Sequence, residues 1–246
     1  MGALPDHDRG HPDRRQGLHH RRLETVLLRL TITHTRDHHS RHAVRFTQIS
    51  HSRRRIRMSD LSTQLPQRLS QPEETGLDAG LLIPLLRLLV DGDPVTLEQL
   101  AAAAGRPVDD VRTSLAAVPD TEYDDQGRII GQGLTLRPTP HRFTMAGQEL
   151  YTWCALDTLM FPALLGRMAR VDSVSPTSGD PIRVTLDPAV GLTRVEPADA
   201  VVSLVNPEQI TSIRSSFCNQ AHYFTSPEDA AGWLDEHPGF DDPVDE

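Results

Sequence analysis

Charge is divided unevenly along these 246 residues, and the division limits where a core can form. Residues 1–57 carry 13 Arg against 5 Asp and Glu, about +8, so residues 58–246 keep the other 12 Arg and 29 acids, about −17. Nine of the 12 histidines also precede Met58, among them His19-His20 and His38-His39. A stretch this basic, with few aromatics and little sustained apolar periodicity, buries too little surface to offset its ordering entropy. Residues 1–57 are therefore expected to stand outside the fold. They read as a disordered basic arm, an Arg-rich targeting peptide, or sequence upstream of a true start at Met58, and the last is preferred because a well-patterned domain follows that methionine. The histidines lack the regular spacing of a metal site.

Residues 58–76 read as a leader or linker. From Leu77 to Asp91, Leu81, Leu82, Leu85, Leu86, Leu88 and Leu89 recur at helical spacing, and Gly92 with Pro94 ends the helix. Thr96-Leu97-Glu98-Gln99 has the form of a capping box for a second helix that closes at Gly105. Pro107 is placed as the first residue of a third, stopped near Pro119. Asp124-Asp125-Gln126-Gly127 supplies turn chemistry between Thr121-Glu122-Tyr123 and Ile129-Ile130, so residues 77–140 are predicted to form a winged helix-turn-helix. DNA recognition requires cations, and residues 96–118 offer Arg106 and Arg112 against Glu98, Asp109 and Asp110. A structural unit without a nucleic-acid partner is expected.

Residues 141–236 alternate short strands and helices: a strand over 142–145, a helix after Cys154 that Pro162 limits or kinks, strands around 169–173, 182–186 and 200–205, a helix capped at Asn206-Pro207 running to about Ser215, and a last helix opened by Ser226-Pro227. An acidic tail occupies 237–246. The predicted class is α+β, a winged-helix-like unit followed by a mixed domain of short, mainly antiparallel strands with flanking helices. The apolar run from Leu81 to Val90 is broken by Pro84 and Arg87 and falls short of the ~20 residues of a membrane span, so no membrane partner is expected.

Cys154 and Cys218 are the only cysteines. They make no disulfide framework, and a reducing cytoplasm is the expected setting. Asp157 follows Cys154 by three residues on the same helix, where the helix N-terminus would lower the thiol pKa and the two groups could exchange a proton. Taken alone, that spacing more commonly marks a small core cysteine and an acid complementing the helix dipole. Cys218 could likewise be a buried strand residue. A structural zinc site would need four ligands; no Cys-x-x-Cys or His pair supplies them, and His222 is the nearest further candidate. Neither a Gly-x-Ser-x-Gly elbow nor the papain-type cysteine signature is present.

Longer blocks carry more information. Thr121-Glu122-Tyr123-Asp124, Gly131-Gln132-Gly133-Leu134-Thr135-Leu136-Arg137, Leu150-Tyr151-Thr152-Trp153-Cys154-Ala155-Leu156-Asp157-Thr158-Leu159, Phe161-Pro162-Ala163-Leu164-Leu165-Gly166-Arg167, Val195-Glu196-Pro197-Ala198, Val202-Ser203-Leu204-Val205 and Ser216-Phe217-Cys218 resemble, in order, the organomercurial lyase (alkylmercury lyase) family. The resemblance runs from about Leu77 to Leu234. It implies cleavage of a carbon–mercury bond by protonolysis, with Cys154, Asp157 and Cys218 as the catalytic set holding substrate and product mercury, and with no cofactor. It further implies an organomercurial substrate and, as acceptors of Hg2+, low-molecular-weight thiols or a mercuric reductase. Some relatives have extra cysteines where this chain has Ser175 and Asn219, and Tyr151 and Trp153 could wall the site. The alternative is a protein whose thiols bind a soft metal without cleaving anything, or a metal-responsive regulator with a winged-helix domain.

Overall fold

The computed structural model describes residues 24–31, 45–49, 79–118, 120–206 and 218–236. Helices α1 (Ala79–Leu89), α2 (Leu97–Ala104) and α3 (Val108–Ala116) precede strands β3 (Glu122–Tyr123) and β4 (Ile129–Gln132). The leucine stripe behaves as its spacing requires: Leu81, Leu85, Leu86 and Leu89 are fully buried, and Leu82 and Leu88 lie half-buried at the margin. The capping box at Thr96 is present in both directions, with the Gln99 amide donating to Thr96 Oγ1 (3.2 Å) and the Thr96 amide to Gln99 Oε1 (2.8 Å). Pro107 sits one position earlier than expected, as the N-cap of α3, because its ψ of 142° is extended rather than helical.

The wing closes through Asp124, whose Oδ1 accepts from the amides of Gln126 (2.9 Å) and Arg128 (2.8 Å), an Asx-type turn. Val95 bridges Ile129 and ties the α1–α2 loop to the wing. These helices and this hairpin complete the winged-helix unit. Its sheet continues into the second half. Strands β5 (Leu134–Thr135), β6 (His141–Met145), β7 (Gln148–Thr152), β8 (Ala169–Val174), β9 (Pro181–Asp187) and β10 (Gly191–Glu196) extend it to eight antiparallel strands in the order β10-β9-β8-β6-β7-β5-β4-β3. The boundary expected at 140/141 thus falls within one sheet. Strand β10 was not anticipated. It is an edge strand whose residues are mostly half-buried or exposed, so it carries no clean alternation.

Helix α4 (Ala155–Leu165) continues one turn past the expected stop at Pro162 and ends at Gly166 in the left-handed region, φ 65°. Proline removes only the amide that would reach the Thr158 carbonyl, and the surrounding strands hold the helix through it.

A second sheet has the order β12-β11-β1-β2, and it corrects the expectation for residues 24–31 and 45–49, the described parts of the 1–57 segment. Strand β1 (Glu24–Thr31) pairs antiparallel with β11 (Val201–Asn206), from Glu24 opposite Asn206 to Arg29 opposite Val201, while β2 (Arg45–Ile49) pairs with β1. Leu30 is buried in the main core. Average composition concealed a local Thr-Val-Leu-Leu run of strand-forming residues that a partner strand could recruit. Strand β12 (Tyr223–Phe224) borders β11 on its other side, and α5 (Pro227–Glu236) covers it. The expected helix to Ser215, the linker at 58–76 and the tail at 237–246 lie outside the described residues.

Candidate active site

Helix α4 touches strands of both sheets, β6 to β9 in one and β11 in the other, and its N-terminus is where the two cysteine-bearing segments meet. Cys154 is the N-cap, with extended backbone (φ −147°, ψ 169°) directly after β7. Three hydrogen bonds fix this corner. The Trp153 amide donates to the Gly133 carbonyl (2.8 Å), Thr152 Oγ1 to the Cys154 carbonyl (2.9 Å), and the Ala155 amide to the Ala221 carbonyl (3.0 Å). The last couples the start of α4 to the segment holding Cys218.

Cys218 opens a 3₁₀ turn, Cys218–Gln220, rather than lying in a strand. Ser203 on β11 fastens that turn: its hydroxyl donates to the Gln220 carbonyl (2.8 Å) and accepts from the His222 amide (3.0 Å), while its own amide donates to the His222 carbonyl (3.0 Å). The result brings the sulfurs of Cys154 and Cys218 and a carboxylate oxygen of Asp157 within 4.8 Å of one another. Both cysteines are free thiols. Exposure is 0% for Cys154, 2% for Cys218 and 8% for Asp157, so the cluster is closed off from water.

Burial sets the electrostatics. The expected lowering of the Cys154 pKa by the helix N-terminus does not prevail: burial, then the hydrogen bond with the Cys218 thiol and the Asp157 and Cys218 charges, lift it well above the ordinary thiol range. The Asp157 main chain opposes them. Burial likewise raises the Asp157 carboxyl to about 6, against the lowering effect of the Cys154 thiol and main chain. Asp157 Oδ2 is buried with no hydrogen-bond partner among the described residues. A carboxyl left without a donor on one oxygen, beside two thiols, is suited to gaining and losing a proton near neutral pH.

His222 does not join the cluster. Its Nε2 lies 2.9 Å from the Asn219 carbonyl and its ring packs edge-on to Trp233. Tyr151 is half-buried and donates its hydroxyl to exposed Glu149 (3.2 Å), whereas Trp153, adjoining Cys154, is buried. Ser175 Oγ accepts from the amides of Thr177 (3.2 Å) and Ser178 (3.4 Å), a turn role, and Asn219 is exposed. Sequence reasoning missed the polar residues behind the site. Thr158 and Tyr223 share a 2.6 Å hydroxyl contact, and Thr158 Oγ1 donates to the Ala155 carbonyl (2.7 Å), bracing the first turn of α4. Tyr223 packs edge-on to His141, whose Nδ1 lies 2.8 Å from Ser173 Oγ.

Burial, and secondarily the His222 charge, hold His141 down at about 3 from an ordinary 6.5. Below 6.5 the unfolded chain binds a proton here that the folded chain refuses, so this residue's contribution to stability is complete above 6.5 and is lost as pH falls towards 3. His141→Gln is expected to flatten the decline of urea midpoints between pH 6.5 and 4 relative to the unsubstituted chain. Parallel declines in the two proteins would contradict it.

Known proteins resemble this chain along most of its described length. A family described as alkylmercury lyase matches residues 134–244, and one described as the helix-turn-helix domain of alkylmercury lyase matches residues 60–133. The alkylmercury lyase of Streptomyces lividans is 59% identical over 155 residues, covering 63% of this chain and 72% of the relative. That of Staphylococcus epidermidis is 48% identical over 181 residues, covering 74% and 83%. The crystal structure of the mercury-bound form of MerB2 superposes with a TM-score of 0.61 at 26% identity, covering 74% of this chain and 89% of that one.

Proposed function

The chain belongs to the alkylmercury lyase family, and from that premise we propose that Cys154, Cys218 and Asp157 cleave the carbon–mercury bond of an organomercurial by protonolysis. The observation that carries the reading is the buried convergence of two free thiols and one carboxyl within 4.8 Å. Thiolates are the protein ligands that soft mercury prefers. Asp157, ionised above about 6, is the group placed to take a thiol proton that burial otherwise holds on sulfur.

One thiol gives its proton to Asp157 and its sulfur binds R–Hg, displacing the ligand X that accompanied the substrate. The second thiol adds its sulfur to the same mercury. Donation from two sulfurs raises the electron density on the mercury-bound carbon, the Asp157 proton passes to that carbon, and the carbon–mercury bond breaks to give R–H. The second thiol proton leaves with X as HX. Two S–H bonds, one Hg–C bond and one Hg–X bond are exchanged for two Hg–S bonds, one C–H bond and one H–X bond, with no change of oxidation state. The step needs no redox cofactor.

Mercuric ion is then held between two thiolates, and its removal requires a competing thiol, either a low-molecular-weight thiol or a mercuric reductase. A reducing cytoplasm keeps the pair free for the next cycle. Full-length protein incubated with phenylmercury and excess thiol is expected to release benzene over many turnovers, and without added thiol to stop after a single equivalent. Headspace gas chromatography measures both. Absence of benzene under the first condition would sink the proposal, and undiminished turnover under the second would overturn the role given to external thiols.

A further inference from the structure

Among the described residues Asp157 Oδ2 has no hydrogen-bond partner, and the turn that ends the winged-helix side of the chain approaches the same carboxyl. Gly133 is the single residue between the paired Gln132 and Leu134 where β4 turns into β5, with φ +76°. Its carbonyl accepts the amide of Trp153, the residue before Cys154. A Cβ built on Gly133 would lie 2.8 Å from Phe161 Cζ, 3.6 Å from Phe161 Cε2 and 3.7 Å from Asp157 Oδ1. The first separation is too short for carbon atoms and the last is ordinary contact. Asp157 and Phe161 are four apart on α4, so they share one face, and the turn presses on that face.

We propose that Gly133 is a positioning residue for the proton transfer, its bare backbone letting the β4–β5 turn seat Phe161 and hold the Asp157 carboxyl against the two thiols. The inference rests on Asp157 as the proton carrier. It gives the winged-helix unit a part in the chemistry: the unit ends in the turn that sets the proton carrier. The glycine offers no donor or acceptor side chain to compete for Oδ1, and its positive φ is one that residues with a side chain rarely adopt. At nearby Gly131 a side chain also has no room, because it would collide with the buried Glu122–Thr135 pair, whose oxygens lie 2.5 Å apart.

The test compares Gly133→Ala, Phe161→Leu, the double variant and Asp157→Asn in the full chain, with kcat and KM for phenylmercury, Hg2+ binding and folded fraction measured for each. Gly133→Ala is expected to lower kcat roughly 10- to 100-fold, the scale of a displaced catalytic group, with KM and Hg2+ binding unchanged. Phe161→Leu is expected to lower kcat several-fold by loosening the same seat. In the double variant the alanine methyl occupies space the ring vacates, so kcat should recover above that of Gly133→Ala, while the backbone strain at φ +76° remains in both. A folded Gly133→Ala enzyme with unaltered kcat, or additive losses in the double variant, would overturn the role. Should Gly133→Ala not fold, Phe161→Leu decides: a folded Phe161→Leu enzyme with unaltered kcat overturns it. Hydrocarbon release by Asp157→Asn would instead remove the underlying assignment of the proton carrier.

Discussion

Asp157→Asn is expected to reduce hydrocarbon release by about 10²- to 10⁴-fold, the usual contribution of a positioned acid–base group, while the protein still binds one Hg2+ between Cys154 and Cys218. The amide can neither accept the first thiol proton nor supply one to carbon, yet it leaves both sulfurs in place. The same substitution should stabilise the fold at neutral pH. The Asp157 carboxyl ordinarily titrates at 3.8 and here at about 6, so between those values the folded chain binds a proton that the unfolded chain has released. Stability attached to the protonated form is complete below 3.8 and lost as pH rises through 6, at a cost on the order of 3 kcal/mol above that range. Urea unfolding at pH 8 should show the variant more stable by an amount of this order, and at pH 3.5 the advantage should vanish. Loss of both hydrocarbon release and Hg2+ binding, or a variant less stable at pH 8, would show that Asp157 serves structure rather than proton transfer.

The single substitutions Cys154→Ser and Cys218→Ser are expected to bring hydrocarbon release down to the rate seen without enzyme. Oxygen is a harder donor than sulfur, so each variant keeps one effective mercury ligand. One sulfur suffices to capture R–Hg but does not load enough electron density onto mercury for carbon to accept a proton. Each variant should therefore trap the substrate as an R–Hg adduct, seen in native mass spectrometry as the added mass of the intact organomercury group. The double variant should trap none. Release of hydrocarbon from either single variant at more than a small fraction of the normal rate would mean that a second sulfur is unnecessary.

These expectations depend on an arrangement that was only partly visible in the residues. The capping box at Thr96, the turn at Asp124 to Gly127 and the leucine stripe of α1 are local, and local rules located them. Cys154 and Asp157 could be placed on one helix for the same reason. That Cys218, 64 positions later, joins them depends on Ser203 and on the bond from Ala155 to Ala221, neither of which has a periodic signature. The ordered blocks resembling a known family supplied that association in advance. The thiol pKa was misjudged because helix-end electrostatics can be inferred from spacing, whereas complete burial cannot. Strand β1 was missed because pairing with β11 is a long-range choice that a segment's average charge does not reveal. Gly133 had a visible signal, a Gly-x-Gly that runs from the end of one short strand into the turn before the next, but its neighbour across the turn, Phe161, lies 28 positions away.

The dryness of the cysteine pair also bears on which cargoes the enzyme can accept. A hydrated dication such as zinc would have to shed its water shell to reach sulfurs that are almost wholly enclosed, and the one carboxyl nearby gives little compensation. A neutral, linear organomercurial arrives with its charge already cancelled by a carbon and a thiolate, so it sheds far less. Selection against common metals thus begins with solvation, before any preference of sulfur for mercury operates. The same barrier acts on the way out: naked mercuric ion has no favourable route into bulk water, and its departure is a ligand exchange in which a new sulfur is bound before an old one is released.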